Sequence, residues 1–202
     1  MMRPRRHLIL FVRAPAYGSG KRRLAHDIGD LAACRFERLM LARLLRRLGR
    51  HRRWCLRIAV TPDRARYRRR LWPYGYPVIE QGSGDLGTRM QRALAGCPPG
   101  PVVLVGADIP ALGPGHIAAA FDLLGRHDLV FGPAGDGGFW LVGARRSPNL
   151  PPLFGKVRWS SPHALDDALA GLPARVSVGF AATLEDVDDG DAYRRLVPRR
   201  GF

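Results

Sequence analysis

The first residues able to do chemistry surround Lys21. Lys21 lies in a glycine-containing segment, residues 14–24, and is one of only two lysines beside 31 arginines. Gly18 and Gly20 would let backbone N–H groups approach an anion, and Lys21 and Arg23 would supply charged donors for phosphates. The spacing does not fit a Walker A loop, because Arg follows the Gly-Lys pair where Ser or Thr is required. We therefore expect a phosphate-binding loop of another type.

Asp108 is the second residue whose setting points to chemistry. It follows an apolar run, residues 102–105, that is typical of a buried strand. A lone carboxylate at the end of such a strand is costly unless it is paired or bound to a metal. Mg²⁺ is commonly held by one or two carboxylates together with substrate phosphates. The sequence therefore predicts a metal site at Asp108, with a buried salt bridge or a loop cap as the alternative.

An acidic cluster near the end of this basic chain, residues 184–193, offers a second metal ligand. Asp189 and Asp191 precede a short helical pattern, where negative charge stabilises a helix N-terminus. That explanation leaves Asp186 and Asp188 without a local role. The ligand spacing and the missing terminal Glu exclude an EF-hand, so we expect Asp188 to complete the site at Asp108.

Two glycine-rich segments also lie between strand-like runs. In residues 81–90 the glycines fit the GxGxxG pattern of dinucleotide-binding proteins, but the pattern follows the third predicted strand rather than the first. Within it, Asp85 is expected to cap the following helix, and a cap residue can also contact a ligand. In the second segment, Asp136, Gly137 and Gly138 favour a hairpin turn. Glycines that lead into Phe139 could equally form the wall of a pocket.

The elements that position these residues alternate between short strands and helices, which is typical of βαβ units around a mostly parallel sheet. The strands are predicted at residues 8–12, 56–60, 78–80, 102–105, 129–131, 139–142 and 176–178, and helices at 86–95, 115–124, 162–169 and 191–196. The clearest helix places Phe36, Met40 and Leu44 on one face and arginines on the rest. We expect one α/β domain over residues 1–202, with ligands bound where strands end.

Composition narrows the class of protein. The chain has 202 residues, a formal charge of +16 and 46% hydrophobic residues, which excludes a disordered or fibrous protein. Three widely spaced cysteines favour a reducing cytoplasm, and the six histidines lack the spacing of a zinc site. No apolar run approaches the roughly 18 residues of a membrane span. The positive charge would suit anionic partners. The arginine-rich segments, however, are not interleaved with aromatic residues and match no nucleic-acid-binding motif. Nucleic acid is therefore an unlikely partner, and solvated helix faces are the simpler interpretation of the arginines.

The ordered set of motifs resembles a known family. The chain resembles the bacterial selenodomain-associated transferase family of GT-A-like proteins, which is similar to phospholactate guanylyltransferase and to molybdenum-cofactor nucleotidyltransferases. The resemblance runs from about residue 8 to residue 196. The matching positions are Phe11 to Pro15, Gly18, Lys21, Arg23 to Ala25, Gln81, Gly84 to Gly87, Arg89, Met90, Gly106, Asp108, Pro110, Gly132 to Ala134, Asp136 to Gly138, and Asp186 to Asp188.

The resemblance implies a GT-A fold, a three-layer αβα sandwich, that binds a nucleotide with Mg²⁺ or Mn²⁺. Lys21 and Asp108 would be catalytic, and Asp108 and Asp188 would bind the metal. The family usually has Lys where this chain has Arg13, and Arg13 still offers a charge for an anion. The remaining residues expected to bind nucleotide or substrate are Gly18, Arg23, Gly84, Asp85, Gly106, Asp136, Gly137 and Gly138.

These residues favour a metal-dependent nucleotidyltransferase, in which an acceptor phosphate attacks the α-phosphate of an NTP and pyrophosphate leaves. Such chemistry needs positioning and charge neutralisation more than a protein nucleophile. A glycosyltransferase with a nucleotide-sugar donor is the first alternative. A non-enzymatic polyanion-binding protein that uses the +16 charge is the second. The base, the acceptor and the oligomeric state are left open.

Overall fold

Strands and helices alternate through the part of the chain that the computed structural model describes, residues 5–73, 75–146 and 150–196. The strands are β1 (His7–Arg13), β2 (Cys55–Thr61), β3 (Val78–Glu80), β4 (Val102–Val105), β5 (Leu129–Pro133), β6 (Phe139–Ala144) and β7 (Val178–Phe180). The helices are α1 (Arg22–Ile28), α2 (Asp30–Leu48), α3 (Leu86–Ala95), α4 (Pro114–Leu123), α5 (Ala164–Ala170) and α6 (Gly190–Leu196). A 3₁₀ helix, Asp63–Tyr67, follows β2.

The predicted elements are confirmed with two corrections. The last strand starts two residues later than predicted, at Val178, because its pairing with β5 begins at Leu129 opposite Val178. Helix α1 was not predicted at all. It is only seven residues long and its buried apolar residue is Leu24, so the apolar periodicity that would identify a helix is too short to detect.

The sheet has the strand order β3-β2-β1-β4-β6-β5-β7. Strands β1, β2, β3 and β4 are mutually parallel, and β5 and β7 are parallel to each other. Strand β6 runs antiparallel to both of its neighbours, β4 and β5. The GxGxxG pattern of residues 81–90 follows β3 at the edge of the sheet, whereas the dinucleotide fingerprint follows the first strand, so the topology disfavours that interpretation.

Side chains of each central strand alternate between two cores, which makes the molecule a three-layer αβα sandwich. Leu8, Leu10 and Val12 of β1 join the core under α1, α2, α4 and α6, whereas Ile9 faces the core under α3 and α5. Within the described residues, none of the helices combines the length and the apolar character that crossing a membrane requires.

A buried glutamine fixes the strand ends that carry the candidate site. The amide of Gln81, just after β3, donates to the carbonyls of Val12 and Ala59, at 3.1 and 2.9 Å. Its side-chain oxygen accepts a hydrogen bond from Arg89 at 2.9 Å. Because Val12 and Ala59 lie near the carboxyl ends of β1 and β2, this one side chain holds the two strand ends together beside the loop that contains Lys21.

Candidate active site

A cavity of about 790 Å³ opens at the carboxyl ends of β1 and β4, and we call it the edge cavity. Its volume lies in the range of small-molecule sites in proteins, roughly 300–1,000 Å³. The positive charges that line it belong to the last residue of β1 and to the segment that follows that strand. These residues are Arg13, Lys21, Arg22 and Arg23. The carboxylates that line it are Glu37, Asp108, Asp136, Asp186 and Asp188.

Lys21 lies at the centre of these carboxylates. Its Nζ is 2.8 Å from Asp108 Oδ2, 3.1 Å from Asp188 Oδ1 and 4.0 Å from Asp186 Oδ2. The Lys21 side chain is only 15% exposed. Arg23, by contrast, is mostly exposed and approaches Asp188 at 3.5 Å. The ammonium of Lys21 is therefore a buried point charge held by three acidic side chains.

The fold brings these carboxylates together through backbone hydrogen bonds between distant segments. The Val187 N–H donates to the carbonyl of Asp108 at 3.1 Å, so the residues on either side of Val187 flank Asp108. Three residues before Val187, the Leu184 N–H donates to the carbonyl of Pro133 at 3.2 Å and continues the sheet beside the end of β5. The acidic cluster near the C-terminus is thus an added strand-like segment at the sheet edge.

The pKa values in this cluster reflect a surplus of negative charge. Burial alone would lower the pKa of Lys21, but the charge and hydrogen bond of Asp108, followed by the charges of Asp188 and Asp186, outweigh burial and raise it. Burial raises the pKa of Asp186 to about 6, and the charges of Asp108, Asp136 and Asp188 add to that rise against the opposing charge of Lys21. One ammonium does not neutralise the carboxylates that surround it.

This donor set fits a divalent cation in the manner that Mg²⁺ commonly uses. Within the described residues, no three His, Cys, Asp or Glu side chains are arranged to enclose a metal. Mg²⁺ rarely requires such a cage, because it binds one or two carboxylates and takes its other ligands from water and substrate phosphates. Asp108 and Asp188 offer hard oxygen ligands, and Asp186 adds a third carboxylate 4.0 Å from the same ammonium.

Glu37 is a site residue that the sequence interpretation missed. It lies on α2, and its Oε1 accepts a hydrogen bond from the backbone N–H of Lys21 at 3.2 Å. A Cβ atom on Gly20 would lie 2.6 Å from Glu37 Oε2, so a larger residue at this position would displace the carboxylate. Burial raises the pKa of Glu37, and the Lys21 N–H partly offsets the rise. Glu37 thereby fixes the backbone that carries Lys21.

The wall opposite the basic segment is aromatic and carries hydroxyl groups. It includes Phe139 at the start of β6 and the segment that contains Trp159, Ser160 and Ser161. Phe154 packs behind it, with its ring centroid 6.1 Å from that of Phe139 and 5.7 Å from that of Trp159. Ser160 adopts a φ of +58°, an uncommon conformation for a residue other than glycine. The sequence offered a pocket wall at Phe139 as one interpretation, but it did not indicate the loop that contains Trp159, because that loop has no sequence periodicity.

Most of the predicted site residues line the edge cavity. They are Arg13, Lys21, Arg23, Gly106, Asp108, Asp136, Gly138 and Asp188. Gly18, Gly84, Asp85 and Gly137 do not line it. Asp85 instead caps α3, accepting a hydrogen bond from the Thr88 N–H at 2.7 Å. Asp136 forms the predicted turn, accepting from the Gly138 N–H at 2.9 Å, and also lies near the acidic cluster.

Comparisons with known proteins agree with this architecture. The family described as an uncharacterized protein conserved in bacteria, DUF2064, matches residues 44–161. A comparison with curated proteins finds no match. Among solved structures, a protein from Desulfovibrio desulfuricans G20, provisionally assigned as a nucleotide-diphospho-sugar transferase, is 27% identical with a TM-score of 0.82, covering 95% of this chain and 91% of that one.

Two more distant structures show the shared fold. The 4-diphosphocytidyl-2C-methyl-D-erythritol synthase of Anaerococcus prevotii is 9% identical with a TM-score of 0.59, covering 95% of this chain and 94% of that one. Glucosyl-3-phosphoglycerate synthase of Mycobacterium tuberculosis, solved with Mn²⁺, UDP and glucosyl-3-phosphoglycerate, is 12% identical with a TM-score of 0.51, covering 91% and 71%. The predicted GT-A-like fold of nucleotide-diphospho-sugar transferases is therefore confirmed.

Proposed function

Because this chain belongs to the DUF2064 family and has a GT-A-like fold, we propose that it is a metal-dependent transferase with a nucleotide donor. One observation carries the proposal. In the edge cavity, carboxylate oxygens of Asp108 and Asp188 lie 2.8 and 3.1 Å from the Lys21 ammonium. The lining residues that the structure describes include no Cys or His. That composition suits a transfer driven by charge neutralisation rather than by a protein nucleophile.

The reaction we propose is nucleotidyl transfer from an NTP to a phosphorylated small-molecule acceptor. A phosphate oxygen of the acceptor attacks the α-phosphorus of the NTP, the bond from that phosphorus to the bridging oxygen breaks, and pyrophosphate leaves. Arg13, Arg22 and Arg23 are exposed and line the edge cavity, which supports the binding of an anionic donor and an anionic acceptor there. The chain also resembles selenodomain-associated transferases, and the similarity of that family to phospholactate guanylyltransferase supports nucleotidyl transfer.

Each residue of the cluster has a distinct part in this proposal. Lys21 binds donor phosphates as a compact charge, and Glu37 holds its backbone in place. Asp108 and Asp188 would hold Mg²⁺ or Mn²⁺, which supplies Lewis-acid neutralisation of the phosphates when bound. Asp136 and the aromatic wall around Phe139 and Trp159 face the remaining space, where the acceptor would bind.

Glycosyl transfer from a nucleotide sugar is the second candidate. It is favoured by the 27% identity to the Desulfovibrio protein provisionally assigned to that activity. It uses the same cluster, since the donor would again present a diphosphate to Lys21 and the metal. The two reactions differ in the released product, which is pyrophosphate for nucleotidyl transfer and a nucleoside diphosphate for most transfers from a sugar donor.

The first test is a thermal-shift screen with Mg²⁺ or Mn²⁺ and a panel of NTPs and nucleotide sugars. A ligand that binds only the native state raises the melting temperature, and we expect a metal-dependent rise with one NTP. Asp108→Asn is the matched control and should lose the rise. A rise with nucleotide sugars alone would replace nucleotidyl transfer by glycosyl transfer. No rise with any donor would contradict a nucleotide-dependent transferase.

A further inference from the structure

A second cavity, of about 550 Å³, lies outside the edge cavity between α2 and the segment that precedes β3. We call it the arginine cleft, and its charged lining consists of Arg38, Arg46, Arg50 and Arg70. Helix α2 separates the two cavities, because its residues Glu37 and Met40 line the edge cavity while Arg38 and Arg46 line the cleft. Nothing in the proposed transfer reaction uses the cleft.

The charges of the arginine cleft are all of one sign. The four guanidinium groups are exposed, and the described residues that line the cleft include no Asp or Glu. None of the four forms an ion pair within the described part of the chain. Arg38 and Arg46 lie two turns apart on α2, Arg50 follows two residues after the helix ends, and the like charges of these side chains repel one another. A bound anion would remove that repulsion.

The floor of the cleft is apolar and held firmly in place. It is formed by Leu41, Leu45 and Trp72, and the Trp72 side chain donates from Nε1 to the carbonyl of Ala65 at 2.7 Å. Tyr76 packs so closely on the end of α2 that a Cβ atom on Gly49 would collide with its hydroxyl. The cleft is therefore a preformed concavity with an apolar floor and a cationic rim, which is the usual construction of a small-molecule site.

We propose that the arginine cleft binds a small organic anion that carries phosphate on an apolar, ring-sized body. Guanidinium groups bind phosphate through paired hydrogen bonds, and four of them favour a dianion over a monoanion. The cleft volume suits a small molecule. Single-stranded nucleic acid would need several accessible aromatic surfaces for successive bases, whereas the described aromatic residues that line the cleft are Trp72 and Tyr76, and of these Tyr76 alone is partly exposed.

The test uses Ala42, an exposed residue of α2 that lines the cleft one turn from both Arg38 and Arg46. Ala42→Glu places a carboxylate between these arginines, where it forms favourable pairs along the helix and preserves folding. Binding of 1-naphthyl phosphate is measured by calorimetry in the full chain. We expect binding to weaken at least about tenfold in Ala42→Glu and by less than about threefold in Ala42→Gln, because charge-assisted hydrogen bonds dominate the affinity.

Three comparisons keep the proposal falsifiable. Ala119→Glu, at an exposed position of α4, makes the same change in net charge away from the cleft and should leave binding unchanged. Lys21→Ala should also leave it unchanged, since Lys21 belongs to the edge cavity. If Ala119→Glu weakened binding of 1-naphthyl phosphate as much as Ala42→Glu does, the overall charge would explain the result and the proposal would fail. If Lys21→Ala abolished binding, the probe would bind in the edge cavity instead of the cleft. The protein could instead fail to bind 1-naphthyl phosphate and bind a single-stranded oligonucleotide. If Ala42→Glu then abolished oligonucleotide binding, the cleft would be a nucleic-acid surface and the proposal would be wrong.

Discussion

Two aspartates that are both largely shielded from solvent differ sharply in their surroundings. Asp167, on α5, is 16% exposed at its side chain and receives three hydrogen bonds from Arg158, at 2.9, 2.8 and 2.8 Å. These bonds hold the pKa of Asp167 well below its usual range. Asp186, in the edge cavity, is 28% exposed and shares the single ammonium of Lys21, 4.0 Å away, with two other carboxylates. Burial raises its pKa to about 6.

The difference distinguishes a balanced ion pair from a cluster in which the carboxylates outnumber the positive charge. Around Asp167 the charges balance, so nothing further is needed to stabilise the folded state. Around Asp186 the negative charge exceeds the positive charge. The repulsion among the carboxylates raises the free energy of the folded state, and the folded protein keeps them in a cavity nonetheless. Residues whose pKa is strongly shifted by burial and by an identifiable charged neighbour are concentrated at functional sites. Substitutions at these aspartates and at the residues around Lys21 test this contrast.

The largest effect is expected from Asp108→Asn. The substitution removes the carboxylate nearest to Lys21 and, in our proposal, a metal ligand, so turnover should fall at least about 100-fold. The melting temperature should change little, because Lys21 keeps Asp188 at 3.1 Å. The measurement is pyrophosphate or nucleoside diphosphate release alongside thermal unfolding. Asp122→Asn, at an exposed aspartate of α4, is the matched control. Normal turnover in Asp108→Asn would remove Asp108 from the site.

Lys21→Ala should weaken nucleotide binding about 10- to 100-fold, the contribution expected of a charged hydrogen-bond donor. Lys21→Arg should restore binding only in part, because a guanidinium is larger than the ammonium that fits 2.8 Å from Asp108 and 3.1 Å from Asp188. Nucleotide titration by calorimetry measures both variants. Lys156→Ala removes the other lysine of the chain, at an exposed position, and should bind normally. Full rescue by arginine would contradict the need for a point charge.

Asp186→Asn should stabilise the protein, by about 1–2 kcal/mol at pH 8, once the shift is discounted for solvent and coupling. Its pKa is raised to about 6 in the folded state, so wild-type folding is favoured at low pH and loses stability as pH rises from about 4 through 6. The gain in Asp186→Asn should therefore be absent near pH 4 and complete above pH 7. Chemical denaturation in EDTA at several pH values measures it. An equal gain at pH 4 and pH 8 would show that charge is not the cause.

The fold and the centre of the site follow from local sequence signals. Helix α3 is predicted to the residue because Asp85 caps it and its apolar side chains repeat at helical spacing. Lys21 and Asp108 are predicted to meet because both follow parallel strands, whose carboxyl ends share one edge. Asp188 joins them through the hydrogen bond between Val187 and Asp108, which the sequence does not reveal. The sequence indicated only that the carboxylate of Asp188 has no local role and is free to act as a ligand elsewhere.

The rest of the site depends on tertiary contacts. Glu37 lies among the arginines of α2, a pattern typical of a solvated face, although buried Phe36 and Met40 on either side place it at the edge of the apolar stripe. That position is the signal that could have identified it. Trp159 and Ser160 reach the edge cavity through a loop whose path is set by packing against Phe139 and Phe154. No spacing rule predicts such a path.

The smallest effect, and one of opposite sign, is expected from Asp167→Asn. The pKa of Asp167 is lowered in the folded state by the hydrogen bonds from Arg158, so it contributes stability above the unfolded value near 4 that is lost as pH falls below it. Asp167→Asn should therefore lower the melting temperature at pH 7, by less than Asp186→Asn raises it, and the difference should narrow below pH 4. Asp166→Asn, at the exposed neighbouring position, is the control and should show neither change. A stabilising effect of Asp167→Asn at neutral pH would mean that the two aspartates do not differ as their surroundings indicate.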